Sequence, residues 1–156
     1  MSDLAATVID LLRKRSESIS CAESITGGAL TSALVSVSGA SDVLLGSIVA
    51  YSKEMKINQL GLSGELIEAK GLVSKEVALE MAKGARKRLG SSWAISSTGS
   101  AGPTALDGST PGEIWIAIVG PDRGESMKLS LNGARLEVIN GAVESALSLL
   151  ERILRA

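Results

Sequence analysis

Ser18-Ile19-Ser20-Cys21-Ala22-Glu23-Ser24-Ile25-Thr26-Gly27-Gly28 is the stretch on which the reading of this chain turns. A short apolar run, Ser18 to Ala22, reaches a polar elbow. Two glycines follow, and a helical-looking segment runs on from Gly27 to Val37. In an α/β protein this pattern puts Glu23, Ser24 and Thr26 where a strand ends and a helix begins. Backbone N–H groups at a helix start are unpaired and carry partial positive charge, so they suit an anion or a developing oxyanion. Glycines let the backbone approach a ligand closely. Ser24 is a candidate nucleophile on this reading. The plainer alternative is a helix cap followed by a turn, because Ser and Thr are favoured caps.

The same alternation of helical and strand segments recurs on both sides of this stretch. Asp3 to Arg15 has Leu4, Val8, Leu11 and Leu12 at helical spacing, with Arg13, Lys14 and Arg15 at the end that favours cations. Val43 to Tyr51 is an apolar run, and its second half, Ser47 to Tyr51, is the better strand. A short helix is expected over Ser52 to Leu60, closed near Gly61. Ser63 and Ser74 read as caps of two further helices, the second ending at Gly90. Trp93 to Ser97 reads as a strand and Thr98 to Pro111 as a glycine-rich loop. Glu113 to Val119 is strongly β-like. Glu125 to Leu131 pairs back across the turn at Pro121-Asp122-Arg123-Gly124. A last helix runs from about Ala134 to Leu154. Helices alternating with apolar strands predict an α/β fold: a three-layer α/β/α sandwich with a mixed, mostly parallel sheet of about five strands. The chain reads as one domain over residues 1–156.

Composition narrows the chemistry. The chain has no histidine and one cysteine, Cys21, so a Ser–His–Asp triad, a Cys–His pair and a histidine zinc site are all excluded within one chain. Lysine with a lowered pKa is the main base left for a serine nucleophile. No metal site and no cofactor are expected. The net charge of −1, the lack of a basic block and the few aromatics (Trp93, Trp115, Tyr51) argue against nucleic acid as a partner. No signal-peptide pattern opens the sequence and no stretch reads as a membrane span, so a cytoplasmic protein is expected. Homo-oligomerisation is left open.

Three polar segments follow strands whose carboxyl ends meet if the strands are neighbours: 23–28, 51–56 and 98–103. Ser24 would then face Lys56 or Lys53. The backbone of 26–28 and of 99–102 would offer N–H groups to an oxyanion or phosphate. There is no Gly-Lys-Ser/Thr and no Gly-x-Gly-x-x-Gly, so ordinary nucleotide fingerprints are missing. Each piece also has a bland reading: an exposed helix lysine at Lys56, an edge tyrosine at Tyr51, a tight turn at 99–103.

Taken together, the segments resemble one family. Ala22-Glu23-Ser24-Ile25-Thr26-Gly27-Gly28 resembles the Ala-Glu-Ser-Cys-Thr-Gly-Gly signature of the CinA C-terminal domain family, which includes nicotinamide mononucleotide amidases. Tyr51-Ser52-Lys53-Glu54-Met55-Lys56 is similar to its Tyr-Ser-Asn-Glu-x-Lys, and Gly71-Leu72-Val73-Ser74 to its Gly-Ala-Val-Ser. Thr98-Gly99-Ser100-Ala101-Gly102-Pro103 is similar to Thr-Gly-Ile-Ala-Gly-Pro, and Gly112-Glu113-Ile114-Trp115-Ile116-Ala117 to Gly-Thr-Val-Trp-Ile-Ala. The matches run in order over nearly the whole chain.

The resemblance implies hydrolysis of the carboxamide of a small-molecule pyridine nucleotide, without a metal. It implies Ser24 as nucleophile, Lys56 as base, and Tyr51 as the residue orienting the lysine or the pyridine ring. Glu23, Thr26, Gly27, Gly28, Thr98, Gly99, Gly102 and Arg135 are implied in substrate binding. Two departures bear on this. Gly133-Ala134-Arg135 stands where the family often has Gly-Asp-Arg, and Ile139-Asn140 where it commonly has arginines. A weaker or different phosphate site is expected, since phosphate needs cationic or N–H partners. The loop after Pro103 also reads as short. Two other functions fit the same residues: a silent member of the family that binds a nucleotide-like ligand or a partner protein, and a serine amidase of another small amide.

Overall fold

The computed structural model describes residues 2–104 and 108–156. In chain order they form α1 (Ser2–Arg15), β1 (Ile19–Glu23), α2 (Ala29–Val35), a 3-10 turn (Ala40–Asp42), β2 (Leu44–Val49), α3 (Lys53–Leu60), α4 (Gly64–Lys70) and α5 (Lys75–Leu89). Then come β3 (Trp93–Gly99), β4 (Glu113–Val119), β5 (Gly124–Ser130) and α6 (Arg135–Arg155). The strands join one five-stranded sheet in the order β2-β1-β3-β4-β5. β1 lies parallel to both β2 and β3, while β3–β4 and β4–β5 are antiparallel. Only β4 therefore runs against the other strands, and the sheet is mixed as expected.

Alternation along each strand sorts the two faces. Ile19, Cys21, Trp93, Ile95, Ile114, Ile116 and Ile118 share one core with α1, α2 and α6. Ala22, Ala94, Ala117 and Val119 share the other with α3, α4 and α5. The second face is built of small residues on both sides, since α5 brings Ala78, Ala82 and Ala85 to it. That lets α5 lie close against the sheet in a chain with almost no aromatics. Ser52, Ser63 and Ser74 each accept a backbone N–H from the first turn of the helix they precede. Gly61 and Gly90 end α3 and α5 in the left-handed conformation.

Several boundaries differ from expectation. α2 starts at Ala29 rather than Gly27, because Gly27 and Gly28 both have positive φ, 54° and 104°, and lie outside the right-handed helix region. β2 begins at Leu44, not Ser47: Gly46 pairs within the ladder to β1, and Leu89 of α5 sits over it. β3 continues through Thr98 and Gly99, which are strand residues rather than loop. A Cβ at Gly99 would lie 2.7 Å from Ile114 on β4, so only glycine lets the ladder extend there. The stretch after Pro103, read as short, falls partly on 105–107, which lie outside the described residues.

This topology gathers the functional segments. β1, β2 and β3 all end at one edge of the sheet, and the order reverses between β1's two neighbours, which opens a crevice there. The β4–β5 hairpin returns the chain to that same edge: Glu113 pairs with Ser130. The start of α6, with Arg135, is thereby delivered beside the three strand ends.

Candidate active site

Ser24 follows the last residue of β1, and its N–H donates to the Ser97 carbonyl on β3 at 3.0 Å. A turn closes just beyond it, with the Gly27 N–H donating to the Ser24 carbonyl at 3.1 Å. Among the described residues, the intervening N–H groups of Ile25 and Thr26 donate to no protein acceptor.

Lys56 lies on α3 one turn ahead of Leu60, and both are buried. An (i, i+4) pair shares one helix face, so the lysine occupies a core-facing position; it is only 2% exposed. Its Nζ lies 2.8 Å from Ser24 Oγ, 3.0 Å from the Ala50 carbonyl and 3.1 Å from the Tyr51 carbonyl. A neutral amine has two N–H groups and one lone pair. With the two carbonyls accepting the N–H groups, the neutral amine keeps its lone pair for the Ser24 hydroxyl proton, whereas the charged form donates to Ser24 Oγ, whose own proton goes to the Tyr51 carbonyl at 3.4 Å. Burial lowers the Lys56 pKa from 10.5 to about 8. Burial is the whole cause: Lys53, the alternative source of like charge, instead reaches Glu68 at 3.7 Å. Cys21 is inert by contrast, its thiol pushed up to about 12 by burial first and by the Glu23 charge second.

The structure places the other expected residues unevenly. Glu23 is fully buried, and its carboxylate turns inward onto the start of α2. It accepts the N–H groups of Gly28 (3.1 Å), Leu30 (2.9 Å) and Thr31 (2.9 Å), and the hydroxyls of Thr26 and Thr31. Thr26 Oγ1 also lies 2.6 Å from Ser97 Oγ. Of the expected anion cradle at 26–28, the Gly28 N–H is thus taken by the protein's own carboxylate and the Gly27 N–H by the Ser24 carbonyl, which leaves the Thr26 N–H. Gly27 and Gly28 shape the turn, with open space where a Cβ would stand. Thr98 is buried and donates its hydroxyl to the Leu72 carbonyl at 2.8 Å, which fastens the 71–74 loop to β3.

What remains open is a cleft of about 450 Å³ above Ser24. Tyr51, Lys53, Gly99, Gly102 and Arg135 line it, together with Ile25, Ser52, Leu72, Ser100, Ala101 and Thr104. Arg135 donates to the Gly102 carbonyl and to the Tyr51 hydroxyl, both at 3.0 Å. Tyr51 therefore serves twice: its carbonyl holds Lys56, and its exposed ring walls the cleft. The N–H groups of Ala101 and Gly102 have no protein acceptor among the described residues. Ser97, beneath the elbow, was missed in the sequence because nothing there separates it from an ordinary strand serine. Among the described residues no group of three or more His, Cys, Asp or Glu side chains could hold a metal ion. No helix among them is long and apolar enough to cross a membrane.

The family model of the CinA C-terminal domain matches residues 1–154. A CinA-like protein of Prochlorococcus marinus is 44% identical over 154 residues, covering 97% of this chain and 36% of the relative. One from Frankia casuarinae is 40% identical over 151 residues, covering 97% and 35%. The chain thus spans about a third of the length of these curated relatives. Among solved structures, a CinA superfamily protein of Klebsiella pneumoniae superposes with a TM-score of 0.96 at 28% identity, covering 99% of this chain and 97% of its own. A competence/damage inducible protein of Agrobacterium tumefaciens does so with a TM-score of 0.93 at 30% identity, covering 99% and 95%.

Proposed function

The chain belongs to the CinA C-terminal domain family, and from that premise we propose that it is an amidohydrolase converting nicotinamide mononucleotide to nicotinate mononucleotide and ammonia. The observation that carries this reading is the buried Lys56 Nζ, 2.8 Å from Ser24 Oγ. A buried lysine whose burial favours the neutral form, facing a serine at a strand–helix elbow, is the arrangement that a histidine-free nucleophile needs.

The proposed reaction runs in two halves. Ser24 Oγ attacks the carboxamide carbon, and its proton passes to Lys56 Nζ. The oxyanion that forms would accept the N–H groups of Ile25 and Thr26. The C–N bond then breaks, and the leaving nitrogen takes the Lys56 proton and departs as ammonia. A water, deprotonated by Lys56, attacks the ester carbon. The ester C–O bond breaks, Ser24 recovers its proton from Lys56, and the carboxylic acid leaves as its carboxylate. No metal enters any step. Arg135 is the cation assigned to the substrate phosphate, with the Ala101 and Gly102 N–H groups beside it.

Ammonia release tests this across nicotinamide mononucleotide, nicotinamide riboside and glutamine. Release from the mononucleotide above the other two is expected. Release from glutamine alone would move the assignment to another small amide. Release from none would move it to a silent ligand- or partner-binding domain.

A further inference from the structure

The cleft of about 450 Å³ is lined by two cationic side chains, Lys53 and Arg135, and by no carboxylate among the described residues. They come from different elements, Lys53 from the start of α3 after β2 and Arg135 from the start of α6 after β5. Tyr51 links them, its hydroxyl 3.0 Å from Arg135 and its main chain two residues before Lys53. Lys53 is 45% exposed, and its ion-pair partner Glu68 is 78% exposed and 3.7 Å away. So exposed and long a pair contributes little and is readily exchanged for a stronger anion.

We propose that Lys53 is the second cation of an anion clamp with Arg135, holding the phosphate of the substrate across the mouth of the cleft and so selecting phosphorylated over unphosphorylated amides. This rests on the amidase reading and deepens it. Lys53 stands where the family motif has asparagine, in a chain that lacks arginines at 139–140. Arg135 offers a planar fork already oriented by the Gly102 carbonyl and the Tyr51 hydroxyl, whereas Lys53 offers a mobile point charge. Together they bring two positive charges to a phosphate in the cleft. Glu68 competes for Lys53 and weakens the clamp.

The test uses the full chain and the variants Lys53→Met, Lys53→Arg and Glu68→Gln. Lys53→Met should raise KM for nicotinamide mononucleotide about tenfold, with kcat within about twofold and nicotinamide riboside unaffected. Lys53→Arg should restore KM to within about threefold, and Glu68→Gln should lower it. Equal changes for both substrates, or an unchanged KM in Lys53→Met, would overturn the clamp. A second arm separates this from failure of the amidase reading: inorganic phosphate is titrated by calorimetry into Ser24→Ala with and without Lys53→Met. If the wild type releases no ammonia but Lys53→Met weakens phosphate binding about tenfold, the clamp stands and the amidase reading falls. If ammonia is released but phosphate binds both proteins equally, the clamp alone falls.

Discussion

Lys56 Nζ and Ser24 Oγ lie 2.8 Å apart in a site where the lysine's two other hydrogen bonds go to backbone carbonyls and none to a carboxylate. Two carbonyls can hold an amine in place without fixing a proton on it, whereas a carboxylate would keep it charged.

That arrangement sets the pH dependence. With a Lys56 pKa of about 8, roughly a tenth of the lysine is neutral at pH 7. kcat/KM should rise about tenfold per pH unit below 8 and level off above it. Stability carries the same signature with a definite sign. Below pH 8 the lysine is charged whether folded or not, and the folded state bears the whole burial cost, roughly 3 kcal/mol. Between pH 8 and 10.5 the unfolded chain binds the more protons, so this group's cost fades as pH rises. Lys56→Met should abolish activity at every pH and remove this gain, as read by denaturant unfolding at pH 7 and pH 10. A variant that keeps the same pH gain would show that Lys56 is not its source.

Glu23 organises the elbow from beneath. Its two oxygens satisfy three N–H groups of the α2 start and two threonine hydroxyls. Glu23→Ala leaves those donors buried without an acceptor, at a cost of about 2–4 kcal/mol. The turn that carries Ser24, Ile25 and Thr26 should loosen with it. The expected result is a lower melting temperature and a kcat reduced more than KM is raised. An unchanged kcat in folded protein would separate Glu23 from the elbow.

Much of this was legible in the sequence, for physical reasons that differ by residue. The alternation of helical and strand periods at Leu4–Leu12, Ile114–Ile118 and Val138–Ile153 shows which segments face a core, so the layers follow from the chain. The Ser24 elbow is marked by its two glycines. What the sequence could not show is where each side chain spends its hydrogen bonds. The Glu23 carboxylate and the Thr26 hydroxyl look like ligand contacts but are engaged by the α2 start and by each other and Ser97, because a buried carboxylate must find donors and the helix start supplies them. Lys56 looks like an exposed helix lysine until Leu60 fixes its face. Arg135 joins the cleft only because the β4–β5 hairpin returns to the same sheet edge, a long-range consequence of strand order.

Gly84 of α5 tests how tightly the lysine is held. A Cβ there would stand 2.1 Å from the carbonyl oxygen of Leu60, at the end of the helix that carries Lys56. Gly84→Ala must push α3 away from α5, at about 1–3 kcal/mol. Displacing Lys56 by a fraction of an ångström should lower kcat roughly tenfold or more. Unfolding and kcat measured on the same preparation check both. An unchanged melting temperature would mean that the two helices part without cost.

Arg135→Ala should weaken use of the mononucleotide far more than use of the phosphate-free riboside. A charge-assisted contact contributes about 1.5–3 kcal/mol, or roughly ten- to a hundredfold in affinity. The loss also frees the Gly102 carbonyl and the Tyr51 hydroxyl, so a small common effect on both substrates is expected. Steady-state kinetics with the two substrates decides it, and equal losses would make Arg135 a structural residue.

The proposed mechanism has Ser24, activated by Lys56, open the carboxamide. Its most direct test is ammonia release from nicotinamide mononucleotide by the wild-type chain and by Ser24→Ala, with circular dichroism confirming that both are folded. The wild type should release ammonia and nicotinate mononucleotide in equal amounts, and Ser24→Ala should be slower by on the order of 10³-fold or more. Release by folded Ser24→Ala within tenfold of the wild-type rate would contradict the account.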